Sequence, residues 1–164
     1  METIIYVNAA CLSVNGVKWK TAPKTMELCS ALCSAEPLDG DDVFFNGRKD
    51  SKFRYFDSIG ISIIETASNQ RAKRIAVHFP NGKNSRRVRS PYGVSGERAT
   101  TSTFAGILNL NGKELRFPVS TNDFPFSGEL DFIHGIALGS ALSSIVVIES
   151  SLVKKICFDF NLFE

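Results

Sequence analysis

Hydrophobic residues along this chain recur mostly at alternate positions, in short runs separated by Gly, Pro, Asn and Asp. That period of two predicts strands joined by tight turns. Ile4 to Val7 makes a first strand. Ala10 to Val14 and Val17 to Lys20 flank Asn15-Gly16, the dipeptide best suited to two successive positive φ values, and so predict a type I′ hairpin. The period then changes. Met26, Leu28, Cys29, Leu32 and Cys33 fall on one helical face, with Pro23 suited to the first turn and Pro37 ending the segment.

Beyond an acidic loop, Asp39-Gly-Asp41-Asp42, short strands are expected at Val43 to Phe45, Lys52 to Phe56 and Ile61 to Glu65, with Asp57-Ser58 and Gly60 turning the second into the third. Lys73 to Phe79 alternates, Ile75, Val77 and Phe79 on one face and Arg74, Ala76 and His78 on the other, as a half-buried strand would. Residues 80–100 hold two prolines, three glycines and few large apolar groups, which predicts a long basic loop. Two copies of one phrase follow, Phe104-Ala-Gly106-Ile-Leu108-Asn-Leu110-Asn-Gly112 and Phe126-Ser-Gly128-Glu-Leu130-Asp-Phe132-Ile-His134-Gly135. The first predicts a strand through Leu110, a turn at Asn111-Gly112 and a return along Glu114 to Phe117; the second predicts a similar turn at His134-Gly135. Residues 136–144 are compatible with a short helix or irregular chain. Ile145 to Glu149 and Lys155 to Phe163 read as closing strands, the last with Ile156, Phe158 and Phe160 inward. The expected fold is α+β, a mainly antiparallel sheet of about 8–11 short strands with one or two helices.

The 164 residues fit a single domain, 1–164, able to bury a core without covalent staples. Thirteen Phe against one Trp and three Tyr imply a core rich in rings. The net charge of +2 is too small to imply nucleic-acid binding by bulk charge. Charge is nonetheless uneven: Arg71, Lys73, Arg74, Lys83, Arg86, Arg87, Arg89 and Arg98 share their stretch with a lone acid, Glu97. The opening Met-Glu-Thr-Ile-Ile-Tyr-Val-Asn lacks the cationic and apolar regions of a secretion signal, so a cytoplasmic location is expected. The weakly polar run from Ile136 to Ile148 is too short for the roughly 20 residues of a membrane helix, and no membrane partner is expected. Cys11, Cys29, Cys33 and Cys157 are then expected to be reduced thiols, with Cys29 and Cys33 at core spacing.

Candidate chemistry is sparse. His78 and His134 have no ligand spacing to each other or to carboxylates, and no nucleophile elbow, dinucleotide fingerprint or phosphate loop occurs. Asp39, Asp41 and Asp42 resemble the start of a calcium loop, but the Gly and Glu that should follow are missing. No metal, no cofactor and no enzymatic activity are expected. The acidic run is either a solvated loop or a contact for a basic partner. Lys83, Arg86, Arg87 and Arg89, with Tyr92 able to stack on a base, form either a solvated loop, a protein contact or a nucleic-acid contact within the 71–98 segment. Those eight residues are the candidate partner-binding set.

Three stretches, Leu12-Ser-Val-Asn-Gly with its following helix, Tyr55-Phe-Asp-Ser-Ile-Gly60-Ile61, and Phe104-x-Gly106-x-Leu108-x-Leu110-x-Gly112, give the chain a pattern that resembles small bacterial immunity proteins encoded beside polymorphic toxins. The resemblance implies a cytosolic protein that binds a cognate toxin domain and blocks its active site or substrate path. Inhibitors of nucleases in such systems are often acidic, whereas this chain is slightly basic. A nuclease target would therefore require the Asp39 to Asp42 run to act as a local acidic patch. A small nucleic-acid-binding module using residues 71–98 is the alternative role. Either a monomer or a homodimer paired through an edge strand is compatible with the pattern.

Overall fold

The computed structural model describes residues 2–8, 11–34, 36–79, 98, 100–110, 112–116, 132–137, 142–149 and 152–160, with the backbone alone at 132–137, 142–149, 152 and 154. Twelve strands, one α-helix and one 3-10 turn occur among these residues. The fold is mostly antiparallel sheet with a single helix, broadly α+β or mainly β, with one strand more than the upper expectation.

Two sheets build it. The smaller contains β1 (Ile4–Val7), β2 (Leu12–Val14), β3 (Val17–Trp19), β8 (Ile107–Leu110) and β9 (Lys113–Leu115), in the order β3-β2-β1-β8-β9. Its β1–β8 pair is parallel, with Ile5 opposite Leu108, and its other pairs are antiparallel. The larger sheet is antiparallel throughout. Its order is β10-β11-β12-β7-β6-β5-β4, formed by β4 (Leu38–Phe45), β5 (Arg48–Phe56), β6 (Ile61–Thr66), β7 (Ala72–His78), β10 (Phe132–Ala137), β11 (Leu142–Glu149) and β12 (Leu152–Phe160).

One continuous core joins both sheets. Ile5, Val7, Leu12, Val14, Leu108 and Leu115 meet Ile61, Ile63, Ile75, Val77, Ile156 and Phe158, with Leu28 and Leu32 of helix α1 (Thr25–Leu32) filling in beside them. The inward faces of β7 and β12 are those the period of two predicts. The opposite face of the larger sheet is also closed: Phe53, Tyr55 and Ile64 form a second cluster, and Ser62, Ala76, His78 and Cys157 are buried there as well. Strand β7 is therefore buried on both sides over Ile75 to His78, where alternation of basic and apolar residues had implied one wet face.

Several local expectations change. Pro23 lies outside the helix. Lys24 is the N-cap, its N–H donating to Glu27 Oε2 at 2.8 Å, while the Pro23 carbonyl accepts from the Ala72 N–H at 2.8 Å and ties the helix entrance to β7. Met26 and Cys33 face solvent. The buried helical residues are Thr25, Leu28, Cys29, Ala31 and Leu32, and Cys33 is the left-handed C-cap at φ 51°. Residues Asp39 to Asp42 are not a loop but part of β4. His134-Gly135 is not a turn; both residues lie inside β10, opposite Val146 and Ile145. The segment left open between helix and irregular chain gives its first two residues to β10 and its last three, from Leu142, to β11. Most of the expected basic loop, and the second repeat up to residue 131, lie outside the described residues.

Candidate functional site

Strand β4 is the last strand of the larger sheet at its β5 side, so its outer row of backbone groups has no strand partner among the described residues. Asn46-Gly47, at φ 49° and 73°, forms the two-residue turn into β5, the geometry that suits the strand twist. Pairing is interrupted twice. Asp39 opposes Arg54 but Asp42 opposes Lys52, which leaves Gly40 and Asp41 as a bulge, and a second shift falls between Val43 and Phe44. Gly40 is required by contact: a Cβ there would stand 2.4 Å from Tyr55 Cε2 and 3.1 Å from Phe53 Cβ.

The second shift leaves its extra residue, Asp50, on β5, next to the hairpin tip that carries Phe44 and Phe45. Val43 packs on Phe53, Tyr55 and Ile64. Phe44 and Phe45 are both outside, 64% and 70% exposed, and Leu38 at the other end of β4 is 60% exposed. Phe45, Asn46, Arg48, Lys49 and Asp50 line a shallow groove at the hairpin tip.

Charge is distributed along the same hairpin. Lys49 Nζ lies 3.1 Å from Asp42 Oδ1, and Lys52 Nζ lies 3.2 Å from Asp39 Oδ1. The Lys52 ammonium, aided by Arg54, holds the Asp39 carboxyl below the usual carboxylate range. Arg54 Nε sits 3.1 Å from Asp39 Oδ1 yet forms no hydrogen bond, so that contact is electrostatic; the guanidinium's bonds run instead from Nη1 to Glu65 at 3.1 Å and from Nη2 to the Pro37 carbonyl at 3.3 Å. Asp41 and Arg48 form no ion pair with a described residue.

The basic segment behaves differently. Arg71 donates to the Ala22 carbonyl at 2.7 Å, Lys73 pairs with Asp50 at 2.6 Å, and Arg74 grips Asp159 through Nε and Nη2 at 2.5 and 2.9 Å. Arg98 binds both oxygens of Asp57 at 2.8 Å and stacks 3.8 Å above the Tyr55 ring, whose hydroxyl accepts the Arg98 N–H at 3.1 Å. That guanidinium pulls the Asp57 carboxyl below its usual range. The four described cations of the segment are thus bound to the fold. Lys83, Arg86, Arg87, Arg89 and Tyr92 lie outside the described residues.

Two buried polar contacts complete the inventory. Ser62 Oγ is 2.7 Å from His78 Nε2, a separation a nucleophile and base would share. Both residues are 2% exposed, and burial together with the charges of Lys155 and Arg98 pushes His78 down to about 3. A neutral, weakly basic imidazole without access to solvent is a packing partner for the serine. On the other face, Thr25 donates its hydroxyl to the buried carboxylate of Glu65, which joins the helix to Arg54 and β5. Among the described residues no cluster of three His, Cys, Asp or Glu is placed to hold a metal ion. No helix among them is long and apolar enough to cross a membrane.

Of the eight sequence candidates, the structure places Asp39, Asp41 and Asp42 together on β4. Sequence reasoning missed Leu38, Phe44 and Phe45, since the period of two assigns one of two adjacent aromatics to the core. The usable signal was Asn46-Gly47 directly after Phe45: a two-residue turn there carries pairing back through the acidic run. Comparison with protein families, with curated proteins and with solved structures finds no match to this chain.

Proposed function

We propose that this chain is a cytoplasmic protein-binding inhibitor of the immunity type, which occupies the working surface of a cognate toxin domain and stops it sterically. The observation that carries the reading is the pair Phe44 and Phe45, exposed side by side on a hairpin at the edge of the larger sheet. Adjacent exposed aromatics contribute little to a fold but are the side chains that anchor protein interfaces. Blocking needs no catalytic group, only an exposed apolar anchor with polar groups around it, and the exposed phenylalanines and charged neighbours of the β4–β5 hairpin support that reading.

The nucleic-acid reading is less well supported, because Arg71, Lys73, Arg74 and Arg98 are each held by a partner within the chain; it rests on Lys83, Arg86, Arg87 and Arg89. The test is a toxicity-rescue assay. The C-terminal domain of a secreted protein encoded beside this chain is expressed with and without it. Rescue with a one-to-one complex, lost on F44S/F45S, is the expected result. Absence of both rescue and complex, together with nucleic-acid binding that weakens steeply as salt rises and is lost on R86E/R87E/R89E, would replace this reading with the alternative.

A further inference from the structure

We propose that the β4–β5 hairpin is a side-chain docking finger for a protein surface that offers an apolar pocket with a Lys or Arg at its rim. Phe44 and Phe45 enter the pocket and Asp41 and Asp42 meet the cation. This deepens the functional reading above and rests on it for the kind of partner, although binding by the finger can be measured without a toxin in hand.

Three observations select this mode. First, β4 is poorly suited to adding a strand. A bulge at Gly40 and Asp41 interrupts the strand, and Asp39, Asp41 and Asp42 place carboxylates along it, which are features that protect an edge from pairing with another chain. The same features disfavour self-association, since antiparallel pairing of two β4 edges about Asp41 and Asp42 sets like charges opposite one another. Second, the apolar payload is carried by side chains at the tip. Phe44 and Phe45 stand beyond Val43, the last β4 residue packed on the Phe53, Tyr55 and Ile64 cluster.

Third, the charges define what the pocket's rim must carry. Asp42 is shared with Lys49, and Asp39 with Lys52 and Arg54, but Asp41 has no cation among the described residues. An acceptor left open on the same strand as an exposed aromatic anchor favours a charge-assisted donor from the partner. Arg48, opposite Phe45 and likewise without an ion pair among the described residues, makes the finger bipolar: of the charges left open, the carboxylate of Asp41 lies on the outer strand and the Arg48 guanidinium on the inner one. The finger therefore fits its partner in one orientation. Anionic membranes are disfavoured by the same carboxylates, although the paired phenylalanines alone would suit one.

The test uses the intact protein and a displayed library of random dodecapeptides, counter-selected against F44S/F45S. Enriched peptides are measured by fluorescence polarisation against the wild type, F44S/F45S, D41K and R48E. Circular dichroism and thermal melting confirm that each exposed-site variant is folded. The expected result is enrichment of peptides that combine Lys or Arg with large apolar residues, with affinity falling at least about 30-fold on F44S/F45S and about 10-fold on D41K, the D41K loss shrinking as salt rises. Failure to enrich peptides, peptides without basic residues, or binding indifferent to both variants overturns the proposal. So does a concentration-dependent dimer, or co-sedimentation with phosphatidylglycerol vesicles, that F44S/F45S abolishes. A toxin-rescue failure with intact peptide binding would sink the immunity role and leave the finger standing.

Discussion

The two flanks of Tyr55 treat the same kinds of residue in opposite ways. Toward the sheet interior, Arg98 is held by both oxygens of Asp57 and by the face of Tyr55, and the neighbouring His78 is neutral and bonded to Ser62. Toward the edge, Asp41 and Arg48 have no ion pair among the described residues, and Phe44 and Phe45 lie in solvent. Burial explains the contrast. Where water is excluded each polar group must find a protein partner, and at the edge water itself satisfies them. Residues that a fold does not require, kept exposed on a rigid element, are where a binding role is best sought.

The inner flank is the more sensitive of the two to substitution. Gly60 turns η1 (Asp57–Ile59) into β6 at φ 72°, and a Cβ there would lie 2.2 Å from the Phe104 N and 2.6 Å from the Thr103 carbonyl carbon. Gly60→Ala is expected to cost about 3 kcal/mol or more, combining left-handed strain with a backbone collision, as measured by urea unfolding. Asp57→Ala comes next. It removes both Arg98 bonds and the acceptor for the Thr101 N–H, and is expected to cost about 2 kcal/mol, discounted because Arg98 is 39% exposed.

A pH series sharpens the same flank. The folded state holds His78 near 3 while an unfolded histidine titrates at its ordinary value, so between those limits the unfolded chain binds the extra proton. Stability is expected to be independent of this group above its ordinary pKa and to fall as pH drops toward 3, by at most about 1.4 kcal/mol per pH unit. His78→Gln should flatten that slope even though it lowers stability at neutral pH. At the outer flank, F44S/F45S should change stability by less than about 0.5 kcal/mol in either direction, and D41K by less still. A large loss from F44S/F45S would mean the phenylalanines belong to the core, and the distinction between the two flanks would fail.

How much could be read in advance depended on how local each signal is. The hairpin at Asn15-Gly16 and the inward faces of β7 and β12 are set by residues within a few positions of one another, and they stand as expected. Expectations failed where a distant segment decided the outcome. His134-Gly135 has the composition of a turn, but pairing with Val146 and Ile145 draws it into a strand. Met26 has helical core spacing, yet the helix docks through Thr25, Leu28 and Leu32 because Glu65 and β2 lie on that side. Asp39, Asp41 and Asp42 were legible as an exposed acidic patch but not as a strand edge, since Asp has low β-propensity and the ladder with β5 overrides it.

By itself, the chain's alternation, its Asn-Gly turns and its 164-residue length determine an α+β protein with extensive antiparallel pairing and a ring-rich core, because backbone periodicity and turn chemistry act locally. The tertiary structure alone decides the parallel β1–β8 pair, the burial of His78 on a second closed face, and the exposure of both Phe44 and Phe45 on the edge strand of the larger sheet. Each of these depends on which strand lies alongside. Strand neighbours are chosen by the packing of the whole core, which a local pattern of residues does not encode.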